Sequence, residues 1–119
     1  ALGGAREQVF KPRMALVAGK AACAIVPSDC EVSMKKLAAA IGGKSAQMMK
    51  PADAERLTGY KVGGVSPFGQ RKVVPTVMDE TAVLFDRILI NGGQRGLLLG
   101  LTPDEAARAA SAKLADLTA

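Results

Sequence analysis

Apolar positions along the chain follow two kinds of spacing. Residues 14–17 and 21–26 are short continuous apolar runs on either side of Gly19-Lys20. Runs of that length, interrupted by a glycine, predict two strands joined by a tight turn. Pro27-Ser28-Asp29 breaks the second run. From Ser33 the period lengthens: Met34, Leu37, Ala38 and Ile41 fall on one face of a helix. Ser33 is placed to cap its first turn and Gly42-Gly43 to end it.

Residues 45–49 predict a short strand. Pro51 opens a second helix, with Asp53 in its first turn and Gly59 just past its end. Residues 75–78 and 87–90 read as strands, a turn follows at Gly92-Gly93, and residues 96–101 read as another strand. The clearest helix start is Thr102-Pro103-Asp104-Glu105, a capping box with proline at the first helical position. Ala106, Ala109, Ala110, Lys113, Leu114 and Leu117 continue it at mostly helical spacing. This face is small and weakly apolar, which suits packing on a sheet. Strands and helices alternate irregularly, so the pattern predicts an α+β domain with a mixed, largely antiparallel β-sheet and packed helices, not a doubly wound parallel one.

Composition narrows the chemistry. The 119 residues suit one domain, and with three Phe, one Tyr and no Trp the core must come from Ala, Val, Leu, Ile and Met. No apolar run approaches the ~18 residues of a bilayer-spanning helix. Ala1-Leu2-Gly3-Gly4 lacks the charged and apolar regions of a signal peptide. The expectation is therefore a cytoplasmic protein with no membrane partner, and the missing initiator Met suggests a start inside a longer gene product. Sixteen Lys and Arg against eleven Asp and Glu give +5, a modest bias toward an anionic partner. The absence of His removes imidazole triads and His-ligated metal sites. Cys23 and Cys30 cannot form a four-ligand zinc site alone and read as free, partly buried thiols.

Three segments could carry chemistry. Gly63-Gly64-Val65-Ser66-Pro67 is a loop whose backbone N–H groups could approach an anion or a carbonyl oxygen, or is simply a turn. It is not a phosphate-binding P-loop, because no G-K-[ST] follows. Asn91-Gly92-Gly93-Gln94-Arg95-Gly96 could be a hairpin turn, or could hold Arg95 toward a phosphate. Lys11 stands just ahead of the first predicted strand, beside Phe10. Lys35 and Lys36 sit at the positive end of the first helix, either solvated or facing a phosphate. Asp53/Glu55 and Asp79/Glu80 are not spaced to share a helical face, and Ser33 and Ser66 have no visible base. The residues point to a site of backbone amides and cations.

The stretch Thr58-Gly59-Tyr60-Lys61-Val62-Gly63-Gly64-Val65-Ser66-Pro67-Phe68-Gly69 resembles the central motif of the YbaK/ProX-type aminoacyl-tRNA deacylases, a family related to the editing domain of bacterial prolyl-tRNA synthetase. Pro75-Thr76-Val77 and Asn91-Gly92-Gly93-Gln94-Arg95-Gly96-Leu97 match its later segments in order. Val9-Phe10-Lys11 resembles its lysine motif, and Lys35-Lys36-Leu37-Ala38 fits the helix after the first hairpin. The resemblance implies the YbaK/ProRS-associated domain fold over residues 1–119, without the family's N-terminal helix and strand. It implies hydrolysis, in trans and without a cofactor, of the ester on mischarged tRNA, with cysteine- or alanine-charged proline tRNA as substrate. The partners implied are the tRNA acceptor end and prolyl-tRNA synthetase. Lys11 and the loop Gly63, Gly64, Val65, Ser66 and Pro67 take the catalytic roles. Phe10, Tyr60, Asn91, Gly92, Gly93 and Arg95 take substrate-binding roles. In the cysteine-specific members the substrate thiol is proposed to attack its own ester.

Two positions depart from the family pattern. Pro12 replaces a common Thr after the lysine, and Leu98 stands where some members carry a polar residue. A non-catalytic relative binding tRNA or an aminoacyl ligand, and an interaction module with a vestigial pocket, are the other readings. Lys11, Lys35, Lys36, Lys61, Arg71, Lys72 and Arg95 are the candidates for phosphate contact, those near the central loop forming one basic rim.

Overall fold

The predicted hairpin forms, and its strands are longer than their apolar runs. In the computed structural model, which describes residues 6–59, 67, 74–93 and 97–119, β1 (Glu7–Val17) and β2 (Lys20–Pro27) pair antiparallel from Phe10↔Pro27 to Val17↔Lys20. The two-residue turn is Ala18-Gly19, both at positive φ (51° and 80°). That is the handedness that lets two twisted strands close on each other, and the glycine supplies half of it without steric cost.

Three helices and five further strands follow among the described residues. They are α1 (Met34–Ile41), β3 (Ala46–Met48), α2 (Pro51–Thr58), β4 (Thr76–Asp79), β5 (Arg87–Asn91), β6 (Leu98–Leu101), α3 (Pro103–Ala110) and β7 (Lys113–Ala115). A 3₁₀ turn, Glu80–Leu84, separates β4 from β5. The sheet order is β6-β5-β1-β2-β4-β7, with β3 also paired to β1. Three ladders are antiparallel (β1–β2, β1–β3, β5–β6) and three are parallel (β1–β5, β2–β4, β4–β7). The α+β class and the mixed sheet match the expectation. The two pairing modes are equal in number, and the antiparallel β1–β2 ladder is the longest.

The sheet is covered on both faces. On one, Ala15, Val17, Ala22, Ala24 and Val26 meet Leu37 and Ala38 of α1 and Leu117. On the other, Phe10, Met14, Cys23 and Ile25 meet Ala54 of α2, Ala82 of the 3₁₀ turn and Ala106 of α3. β2 feeds both faces, which is why residues 22–27 are buried without alternation. Small residues on β2 and on the helices let these layers approach closely.

Local cap chemistry sets the helix ends. Ser33 Oγ accepts from the Lys36 N–H (3.2 Å), and Gly42 at φ 93° ends α1 by donating to Ala38 and Ala39. Pro51 starts α2 and Gly59 at φ 83° ends it. In α3 both halves of the capping box form: Glu105 N–H donates to Thr102 Oγ (3.2 Å), and Thr102 N–H donates to the Glu105 carboxylate (2.9 Å). Those two bonds hold the Glu105 carboxyl below its ordinary range.

The end of the chain differs from the expectation. α3 stops at Ala110, with Ser111 at φ 53°, and residues 113–117 are not helical. Lys113–Ala115 instead forms β7, parallel to β4. Buried Asp79 anchors it by accepting from the Leu117 N–H (2.9 Å), and it also accepts from the N–H and hydroxyl of Thr81. Pairing the open edge of β4 and burying Leu117 outweighs continuing the weak helical spacing.

Candidate functional site

β1 is paired on both sides at Phe10 and from Ala15 to Val17, and on only one side between them. β5 pairs with Glu7 to Phe10 and β3 with Ala15 to Val17, both on the side away from β2. Between them, among the described residues, no strand pairs with Lys11 to Met14 on that side. Val9 C=O accepts from Ser28 beyond β2, whereas Met14 C=O accepts from Met49 N–H on the β3 side. By the two-residue alternation of a strand, the backbone of Pro12 therefore faces the gap. Proline has no N–H to leave unpaired there, so the one residue type normally excluded from a central strand costs little at this position.

The gap opens into a cavity of about 420 Å³. Phe10, Met14, Met48, Met49 and Leu98 supply much of an apolar wall, and Lys11 and Arg13 supply positive charge. The cavity wraps around the strand edge, so odd and even residues of β1 both reach it. Phe10 is fully buried and fixed edge-on to Phe85 (centroids 6.1 Å apart, planes at 78°). Asn91 lines the cavity from the end of β5, and its side-chain oxygen accepts from the Gly93 N–H (2.7 Å). Gly92 donates to Leu97 (2.8 Å), and Gly93 sits at φ 101°. These two glycines shape the β5–β6 connection.

Lys11 lies inside β1 rather than ahead of it, because the strand begins at Glu7. Its side chain is exposed at the cavity. Pro67 is buried; Tyr60, Gly63, Gly64, Val65, Ser66 and Arg95 lie outside the described residues. So do Lys61, Arg71 and Lys72, and the proposed basic rim reduces to Lys11 among its described members. Lys35 does not line the cavity. Lys36 is engaged elsewhere, at 3.0 Å from the Asp116 carboxylate and 2.8 Å from Thr118 C=O. Arg13 was missed, although once β1 reaches back to Glu7 the i, i+2 rule puts it on the side of Lys11. The methionines carry no sequence signal that would have assigned them to this cavity.

No Ser, Thr, Cys, Asp or Glu is among the described residues lining the cavity. Among the described residues no three Cys, Asp or Glu side chains converge as a metal site, and no helix is long and apolar enough to cross a membrane. Cys23 is buried in the core; Cys30 lies past the far end of β2, where burial and its contact with Asp29 (3.5 Å) raise the thiol pKa. The cavity can thus desolvate a small ligand, attract an anion and hold both at one strand edge.

The family model for the "Aminoacyl-tRNA editing domain" matches residues 5–109. The chain belongs to this family. Editing-domain relatives include the "Putative Cys-tRNA(Pro)/Cys-tRNA(Cys) deacylase EbsC" of Enterococcus faecalis, 36% identical over 95 residues, covering 80% of this chain and 58% of that protein. Another is the "Multifunctional Ser/Thr-tRNA deacylase ProXp-y" of Escherichia coli K12, 34% identical over 71 residues, covering 59% of this chain and 42% of the relative. The chain thus spans about half the length of these curated relatives. Among solved structures, the "Crystal structure of a putative trans-editing enzyme for prolyl tRNA synthetase" superposes with a TM-score of 0.87 at 25% identity, over 99% of this chain and 74% of that one. Within this editing domain, both departures from the family pattern, Pro12 and Leu98, line the cavity. Their apolar side chains therefore belong to the cavity wall rather than to the scaffold around it.

Proposed function

We propose that this chain is an aminoacyl-tRNA deacylase that hydrolyses the ester of mischarged tRNA in trans. The observation that carries this reading is the cavity at the unpaired stretch of β1, apolar within and flanked by Lys11 and Arg13. The two cations take phosphate of the acceptor end. Phe10, Asn91 and the Gly92-Gly93 turn shape the aminoacyl side, and the motif from Gly63 to Pro67 is assigned the role of backbone donor to the ester carbonyl. Each such donor is worth roughly 3 kcal/mol when aimed at the developing oxyanion. Attack comes from water, or from the substrate's own thiol when the amino acid is cysteine.

Cysteine on proline tRNA is the preferred substrate in this reading, with prolyl-tRNA synthetase as its source. The apolar wall accepts a thiol readily. A serine or threonine hydroxyl without a partner costs about 1–3 kcal/mol to bury, which disfavours the substrates named for the Escherichia coli relative. Alanine fits by size but lacks the thiol, so its release depends on water alone.

The test is deacylation of cysteinyl, alanyl, seryl and threonyl tRNAs by the protein and by Lys11→Ala. Rapid cysteine release that is lost in the variant supports the reading. Absence of release from every tRNA by folded protein moves the chain to a non-catalytic, ligand-binding relative, the reading that Pro12 and Leu98 favour.

A further inference from the structure

A second hollow, of about 700 Å³, follows the first along β1. Leu16, Ala21, Met49 and Leu57 wall it, and Asp53 and Arg56 stand at its rim. Met49 also lines the first cavity, so the two are neighbours separated by one side chain. From Pro12 in the first to Leu16 in the second is four residues, roughly 13 Å of strand, within reach of one or two extended nucleotides. Lys20, beside Ala21, and Lys50, between Met49 and Pro51, are both exposed and adjoin lining residues in sequence. Arg56 is the cation that lines the hollow itself.

The chemistry of the hollow suits a nucleobase better than a second amino acid. Leucine and methionine side chains offer flat apolar contact to a ring. The Asp53 carboxylate, paired with the Arg56 guanidinium across one turn of α2, keeps acceptor capacity for an exocyclic amino group. A carboxylate reads cytosine through its N4 amino group and rejects uracil, which offers an acceptor at that place. Single-stranded nucleic acid is commonly held by such a sequence of base contacts along a basic track.

Resting on the deacylase reading, we infer that the second hollow is a base subsite for the cytidine that precedes the terminal adenosine of tRNA, with Asp53 as its specificity-determining residue. The first cavity then takes the aminoacyl ester, and Met49 separates the two parts of one substrate.

The experiment measures hydrolysis of three small esters by the whole chain: 3′-cysteinyl adenosine, and the same ester on the dinucleotides CpA and UpA. Binding of the uncharged dinucleotides is followed in parallel by NMR titration. CpA should exceed UpA about tenfold in kcat/KM through KM, the discrimination one well-placed base contact gives. Asp53→Asn should bring CpA down to UpA and leave the adenosine ester unchanged, since an exposed helix pair contributes little to folding. Equal handling of CpA and UpA by the unaltered protein, or a cytidine preference that survives in Asp53→Asn, overturns the subsite. Preferential binding of CpA without hydrolysis of any ester keeps the subsite and sinks the deacylase reading. Failure to bind or hydrolyse any of them overturns both.

Discussion

β1 and β2 are neighbours in one hairpin, yet they do opposite jobs. β2 is paired to β1 along its length and to β4 at Cys23 to Ile25, and residues 22–27 are buried. β1 has partners on both sides only at Phe10 and from Ala15 to Val17, and the stretch between is the wall of a cavity. The same secondary structure therefore serves as core when both edges are satisfied and as a binding edge when one is not. What separates them is the placement of two short partner strands, β5 and β3, with a break between.

That contrast can be broken by substitutions that act on one strand's role and not the other's. The largest expected effect is at the open stretch: Lys11→Ala should lower deacylation of cysteinyl-tRNA about 100-fold, the scale of losing one charge-stabilising contact. Its urea midpoint should stay within error of the unaltered protein, because the side chain is exposed. A matching loss of stability would mean that the open edge belongs to the scaffold after all. Next is the closed frame: Asp79→Ala strips partners from the Leu117 N–H and Thr81 and should cost about 2–3 kcal/mol in urea unfolding. Its substrate ranking should not change.

Thr102→Ala removes one half of the α3 capping box and should cost about 1 kcal/mol, read in thermal unfolding. The smallest effect is in pH. Because the Glu105 carboxyl is held below its ordinary value by its bonds to Thr102, its contribution is complete above the ordinary Glu range and is lost as pH falls through the depressed folded value. Stability compared between pH 7 and pH 3 should therefore fall less in Glu105→Gln than in the unaltered protein. An equal fall in both would remove the capping bond from the account.

The parts of this molecule that could be read from sequence are those whose causes are local. Ser33, Gly42, Pro51, Gly59 and the Thr102-Glu105 box act within a turn of their own position, and each helix start was legible from them. β7 was read as helix because its reason to be a strand lies in β4, more than thirty positions away at Val77↔Lys113. Lys11 was legible as a site candidate only through its motif, since one lysine has no spacing to betray it. Arg13 and the Met48-Met49 pair enter the site through a gap in pairing, and a gap is a property of the sheet, not of any segment. The motif residues Tyr60, Gly63, Gly64, Val65, Ser66 and Arg95 lie outside the described residues.

The parallel contact between β1 and β5 joins Glu7 to Arg87, 80 positions apart, and it carries a kinetic consequence. Ladders of that separation form late and slowly, because the intervening chain must close a long loop before any contact rewards it. Asn91 and Leu98 arrive with β5 and β6, whereas Lys11 and Arg13 belong to a hairpin that can form early. A chain emerging from the ribosome would own the cationic edge well before the wall that turns it into a cavity.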